Sequence, residues 1–107
     1  MPGLDLLGSW NVAWRNGDKS AYRMQFKNGE VYMAALSCTG QGSETCASQK
    51  EVIVTSSKRY AGWMQAIDVH GKKVTIFMTR VDSGLRLVWQ DPRGYRITGT
   101  GKMMSGK

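Results

Sequence analysis

Tyr22-Arg23-Met24-Gln25-Phe26-Lys27-Asn28-Gly29-Glu30-Val31-Tyr32-Met33 is the stretch on which the fold turns. In its first arm Tyr22, Met24 and Phe26 alternate with Arg23, Gln25 and Lys27, the period of a half-buried strand. Asn28-Gly29 then supplies two residues that accept positive φ, and a two-residue turn of that kind matches the twist of paired strands. Folding about it sets Lys27 against Glu30, opposite charges face to face. It also sets Phe26 against Val31 and Met24 against Met33. The apolar side crosses the turn without a slip, which fixes the register independently of the turn itself.

The same period recurs in both directions from this hairpin, and helical periodicity does not. Residues 9–15 form a first strand with Trp10, Val12 and Trp14 on one side. The strand after the hairpin turn runs to about residue 37, and its other side (Tyr32, Ala34, Leu36) is unusually apolar. Residues 39–49 read as a long polar loop and 51–55 as a fourth strand. The fifth strand, 62–69, and the sixth, 73–81, meet around His70-Gly71, which places Ile67 opposite Val74 and Trp63 opposite Met78. A seventh strand, 85–90, follows Ser83-Gly84. Asp91-Pro92-Arg93-Gly94 is a turn in which proline presets φ and glycine takes the left-handed position. It brings Tyr95 opposite Asp91 and Ile97 opposite Trp89. The eighth strand ends near Lys102, leaving 103–107 as a tail.

Eight short strands joined mostly by short loops make a meander. An open sheet of that length leaves two exposed edges, and closure removes both. The expected fold is therefore all-β, an eight-stranded antiparallel up-and-down meander barrel, with residues 1–107 as one domain. Leu4-Asp5-Leu6-Leu7 is long enough for one helical turn, placed to plug the floor of the barrel.

The side chains directed inward are then Trp10, Val12, Trp14, Tyr22, Met24, Phe26, Val31, Met33, Trp63, Gln65, Ile67, Val74, Ile76, Met78, Leu87, Trp89 and Ile97. An eight-stranded barrel is either filled by such side chains or holds one small ligand. Tyr22 and Gln65 carry polar groups that need partners once buried. Arg80 stands opposite Leu87 if Ser83-Gly84 is the whole loop, and it then shares the face of Met78. A charge there needs a carboxylate such as Asp68 or Asp91, an anion, or water. The other reading is a bulge that turns Arg80 to solvent.

Composition limits the function classes. The chain has 107 residues, 41% hydrophobic and 9% aromatic, which is globular rather than disordered. Fifteen Lys and Arg against eight Asp and Glu give a net charge of +7, a general attraction to anions. No apolar run reaches the ~18 residues of a membrane-spanning helix. No leader peptide precedes the first strand, so the chain works where it is made, or else a leader has been removed and it is periplasmic or secreted. Cys38 and Cys46 are too far apart in sequence for a redox or zinc motif. They are a disulfide candidate in an oxidising compartment and two separate thiols in a reducing one.

No metal cluster, cofactor motif or phosphate-binding glycine loop is evident, and the single histidine, His70, falls in a turn. The chain therefore reads as a protein that binds rather than catalyses.

Gly8-Ser9-Trp10 opens the first strand directly after an apolar turn. This resembles the G-x-W start of calycin barrels, the lipocalin and avidin superfamily, in which the first-strand tryptophan packs across the barrel floor. Gly62-Trp63 and Leu87-Val88-Trp89 are loosely similar to avidin strands. The resemblance implies a barrel that binds a small molecule in or around its interior. In lipocalins an arginine of the last strand packs on the tryptophan, whereas here the register sends Arg96 outward.

Two functions follow as expectations. The first is a small apolar or amphipathic ligand held in the barrel mouth by Trp10, Trp14, Tyr22, Trp63, Arg80 and Trp89. The second is an inhibitor- or immunity-type module acting on an acidic protein partner. It would use either the 39–49 loop or a basic outer face of Arg15, Arg23, Lys27, Arg86 and Arg96. Nucleic acid fits that face less well, because aromatics for base stacking point mostly inward. Tyr32, Ala34 and Leu36, with Met64 and Phe77, form an apolar outer patch of the kind that joins two copies.

Overall fold

The computed structural model describes residues 4–38, 46–56, 59–67 and 71–104, with the backbone alone at 38 and 46–49. Eight antiparallel strands follow one 3₁₀ turn, Leu4–Leu6. They are β1 (Gly8–Trp14), β2 (Lys19–Lys27), β3 (Glu30–Cys38), β4 (Cys46–Val54), β5 (Gly62–Ile67), β6 (Lys73–Val81), β7 (Gly84–Gln90) and β8 (Arg96–Met103). The sheet order is β4-β3-β2-β1-β8-β7-β6-β5, a meander whose first and last strands pair. A bridge between Thr55 and Trp63 ties β4 to β5 and nearly closes the barrel, with Thr55 N donating to Trp63 O at 2.8 Å and Trp63 N to Thr55 O at 2.7 Å.

The deciding hairpin holds residue by residue. Lys27 pairs with Glu30, Phe26 with Val31 and Met24 with Met33. Asn28 has φ 53° and Gly29 φ 78°, the left-handed pair that this turn demands. The Asp91 turn also forms as read: Trp89 pairs with Ile97, and the Asp91 carboxylate accepts from the backbone N–H of Arg93 (3.0 Å) and Tyr95 (2.9 Å). Asp91 is therefore occupied by its own turn and does not meet Arg80.

Several expectations are corrected. The fifth and sixth strands pair one residue out of the expected register. Ile67 faces Lys73, Ala66 faces Val74 and Trp63 faces Phe77. The loop between the strands spans an odd number of residues, 68–72, and an odd loop exchanges the two faces. Met64 is thus inside and buried, while Trp63, Gln65 and Ile67 face outward, with Ile67 68% exposed. Phe26 keeps the inward face but is exposed, since alternation sets the face and not the height along the barrel. The expected loop 39–49 is shorter, because residues 46–49 belong to β4 and the backbones of Cys38 and Cys46 pair. The side chains of both cysteines, the loop residues 39–45, Asp68 and His70 lie outside the described residues. The tail is also shorter than read: Met104 is buried and its N–H reaches Ser9 O at 2.8 Å.

The floor of the barrel is packed. Leu6, Trp10, Met78, Leu85 and Leu87 have no exposed surface, and Met24 and Met33 almost none. Leu6 comes from the 3₁₀ turn and seats against the first-strand tryptophan, whose indole Nε1 donates to Leu6 O at 2.9 Å. Among the described residues no helix is long and apolar enough to cross a membrane.

Candidate functional site at the open end of the barrel

The two ends of the barrel differ because their inward residues differ in size. At the floor the inward positions carry tryptophan, leucine and methionine. Toward the other end, Ala35 of β3 and Ala66 of β5 take the inward positions, and their short side chains leave the lumen unfilled. The result is an open cavity of about 1110 Å³. Its walls are chiefly apolar: Trp14, Met33, Val74, Ile76, Trp89 and Ile97. Both edges of the incomplete seam line it too, through Val52 and Ile53 of β4 and Gln65 and Ile67 of β5. On the side of the Thr55–Trp63 bridge away from the floor, therefore, the cavity reaches the surface at the side as well as at the end.

A small polar cluster sits on this apolar wall. Trp14 Nε1 donates to Ser20 Oγ at 2.9 Å. The Ser20 hydroxyl is also hydrogen-bonded to the Tyr22 phenol. Burial raises the Tyr22 pKa above its ordinary 10.0, and the Ser20 bond partly offsets this. The unfolded chain loses that proton near pH 10 while the fold still holds it. This contribution to stability is whole below pH 10 and is lost as the pH climbs from there to the folded pKa. In a spectrophotometric titration of the four tyrosines, Tyr22→Phe is expected to delete the step at highest pH and to flatten the alkaline fall in stability. Deletion of an earlier step would show that the phenol is not buried.

The six residues expected to line a ligand site divide into three groups. Trp14, Tyr22 and Trp89 come together on the cavity wall. Trp10 and Arg80 meet at the opposite end, where the Arg80 guanidinium lies 5.1 Å from the Trp10 ring centroid. The turn into β7 is Asp82-Ser83 rather than Ser83-Gly84. Arg80 therefore pairs with Leu85, not Leu87; no bulge interrupts the pairing, yet the residue is exposed to solvent. Its Nη1 donates to Gly84 O at 3.2 Å. A cation over an indole face is favourable at such distances, so Arg80 braces the floor. Trp63 is on the outer surface beside Phe77, on which Tyr60 stacks with a centroid distance of 4.5 Å.

The outer basic residues are also placed. Arg86, Arg96 and Arg23 project from the outer faces of β7, β8 and β2, and Arg15 follows β1. Arg96 Nε donates to Gln90 Oε1 at 2.9 Å and Arg23 Nε to Ser9 Oγ at 3.3 Å. Lys27 differs: its ammonium is ion-paired with Glu51 of β4 and lies 5.4 Å from the Tyr32 ring centroid. In the apolar outer patch, Ala34 is buried and Met64 is inside the barrel, which leaves Tyr32, Leu36 and Phe77 half-buried.

Sequence reading missed Ser20, Ala35, Lys50 and Ala66 of the cavity wall. Ser20 was legible, since it shares the parity of Tyr22. Ala66 was hidden by the register error, and Lys50 by a β4 bulge, where the pairing with β3 slips from Ala34–Glu51 to Leu36–Ser48. Among the described residues no group of three or more His, Cys, Asp or Glu is placed to hold a metal ion. No family, no curated protein and no solved structure matches the chain.

Proposed function

We propose that this chain is a non-enzymatic binding barrel that takes a small apolar or amphipathic molecule into its open end. The observation that carries this reading is the cavity itself. Its volume, about 1110 Å³, is slightly above the ~300–1,000 Å³ usual for small-molecule pockets. Its walls are apolar with a few grouped polar atoms, the usual composition of such sites. The 3₁₀ plug, the Gly8-Ser9-Trp10 opening and the eight-stranded meander add support, since together they resemble calycin barrels, whose members bind in the same region.

The test is a titration with N-phenyl-1-naphthylamine, a neutral apolar fluorophore, followed by its own emission and by quenching of Trp14 and Trp89. Saturable binding to one site is expected. Ala66→Phe, which fills the lumen, is expected to weaken it about tenfold or more, equivalent to ~1.4 kcal/mol, with little change in the denaturation midpoint. A probe that never saturates, or an Ala66→Phe protein that binds as before, overturns the reading.

A second reading rests on the outer face. Arg23, Arg86 and Arg96 lie on β2, β7 and β8, and Arg15 directly follows β1; none of these four strands carries an acidic residue between its first and last positions. Such a face favours an acidic protein surface. The combined Arg86→Glu and Arg96→Glu change is expected to abolish salt-sensitive retention on an immobilised acidic protein, and unchanged retention rejects it.

A further inference from the structure

Trp63 fixes the direction in which the open edge of β5 faces. Its N–H and C=O both bond to Thr55, on the side away from β6. In an antiparallel ladder the two backbone groups of one residue point to the same side, and those of the next residue to the other. The N–H and C=O of Gln65 and Ile67 therefore point into the seam, as those of Trp63 do. On the opposite bank Ile53 and Glu51 follow Thr55 in the same way. Continuing the bridge register would pair Ile53 with Gln65 and Glu51 with Ile67, yet the pairing stops at the bridge. Among the described residues these backbone groups meet no backbone partner across the seam, and the cavity opens between them.

The two edges are not equivalent. Natural sheets blunt an open edge with charge, proline or a bulge. β4 has two of these: Lys50 and Glu51 lie on it, and its register against β3 slips between Ala34 and Leu36. β5, Gly62-Trp63-Met64-Gln65-Ala66-Ile67, has none of them. It carries no charge and no proline, and it pairs with β6 without a slip. Gln65 and Ile67 are exposed, so the edge is within reach of solvent.

Alternating donors and acceptors at this spacing match an extended polypeptide backbone. A strand laid along β5 would set one side chain beside Ala66, on the inward face, where Ala35 and Ala66 leave the lumen unfilled. The walls there are apolar, so that side chain should be apolar too. A second barrel does not fit as the occupant, since the β5 edge of each copy is recessed beside its own β4. The net charge of +7 also opposes self-association and favours an acidic partner.

We infer that the β5 edge is a docking site for an extended, acidic segment of another protein, added antiparallel to β5 with alternate apolar side chains turned into the lumen. Main-chain bonds to Gln65 and Ile67 supply affinity, and the space beside Ala66 supplies selectivity. This goes beyond the small-molecule reading, because a small ligand in the lumen makes no use of the strand edge.

The experiment titrates the protein with acetyl-Asp-Thr-Leu-Thr-Leu-Thr-Asp-amide by calorimetry at low salt. With the leucines in the lumen, the threonine N–H groups face β5. Saturable binding is expected, and the same peptide N-methylated at its threonines should bind at least about tenfold more weakly. Gln65→Pro deletes a seam-facing N–H and no bond to β6, and edge strands tolerate proline. It is expected to abolish peptide binding while the denaturation midpoint and the affinity for the naphthylamine probe stay as in wild type. Should the midpoint fall, the N-methylated peptide decides the matter on the unaltered protein.

Absence of binding at millimolar peptide, or equal affinity for the N-methylated peptide, overturns the inference. Binding that survives in a folded Gln65→Pro protein does the same. Each of these leaves the small-molecule reading standing if the naphthylamine still binds. A dimer in sedimentation velocity that Gln65→Pro dissolves would make a second copy the occupant and also overturns it.

Discussion

Trp10→Ala should lower the free energy of unfolding by about 3–5 kcal/mol, the range for emptying a buried tryptophan site. Three losses coincide. The ring has no exposed surface and touches the floor residues from several strands, so its removal leaves a void beneath the barrel. The Leu6 carbonyl, which accepts the indole N–H at 2.9 Å, is left without that donor. Arg80, whose guanidinium lies 5.1 Å from the ring centroid, loses its support. Against a total stability of ~5–15 kcal/mol for a typical domain, such a loss leaves a substantial unfolded fraction at ordinary temperature. Urea denaturation followed by far-ultraviolet circular dichroism measures it. Trp10→Phe separates the terms: it keeps most of the apolar volume and loses the N–H, so about 1–2 kcal/mol is expected. The cavity is at the other end of the barrel, so Trp10→Phe should bind the naphthylamine probe as wild type does. A Trp10→Ala protein within 1 kcal/mol of wild type would mean that the floor is not packed as described.

The contrast between floor and mouth shows which features alternation reveals. Wherever a turn declared its own length, strand pairing was legible. Asn28-Gly29 fixed β2–β3, and Asp91-Pro92-Arg93-Gly94 fixed β7–β8, because each carries residues suited to one turn geometry. His70-Gly71 has no such signature. The loop there includes an odd number of residues, so Trp63 and Met64 exchanged faces and a residue expected to line the site came to lie outside. The β4 bulge gave no sign at all: Ser48-Gln49-Lys50-Glu51 is polar throughout and reads equally well as loop. Alternation also says nothing about height. It set Phe26, Trp10 and Trp14 on one face, yet Phe26 emerges at one end, Trp10 is sealed in the floor and Trp14 borders the cavity. That height follows from the stagger of neighbouring strands, which is a property of the closed barrel as a whole. The openness of the mouth depends in turn on Ala35 and Ala66 reaching the same level, and no stretch of sequence displays that coincidence.

Gly84→Ala should be the second strongly destabilising change, at about 3 kcal/mol, the upper end of the usual cost of overpacking. Gly84 pairs with Val81 where β7 leaves its turn, and it is buried against β8. A methyl group there would come within 2.0 Å of Gly101 O and 3.2 Å of Gly101 C. Both atoms are backbone, so no rotamer change relieves the contact. Gly101 cannot easily retreat, because it pairs with Leu85 on one side and Val12 on the other. The strands must move apart by more than an ångström, which also disturbs the carbonyl that receives Arg80. Gly99→Ala is the informative control. Its methyl would meet Trp14 Cε3 at 2.6 Å, a side-chain atom of a ring that borders the open cavity and has room to tilt. The control should therefore lose less stability but more ligand affinity, since tilting the indole breaks its bond to Ser20 and narrows the site. Chemical denaturation and the naphthylamine titration, run on both variants, should give opposite rankings. If Gly84→Ala stays within 1 kcal/mol of wild type, the close approach of β7 and β8 is wrong, and with it the closure that separates a packed floor from an open mouth.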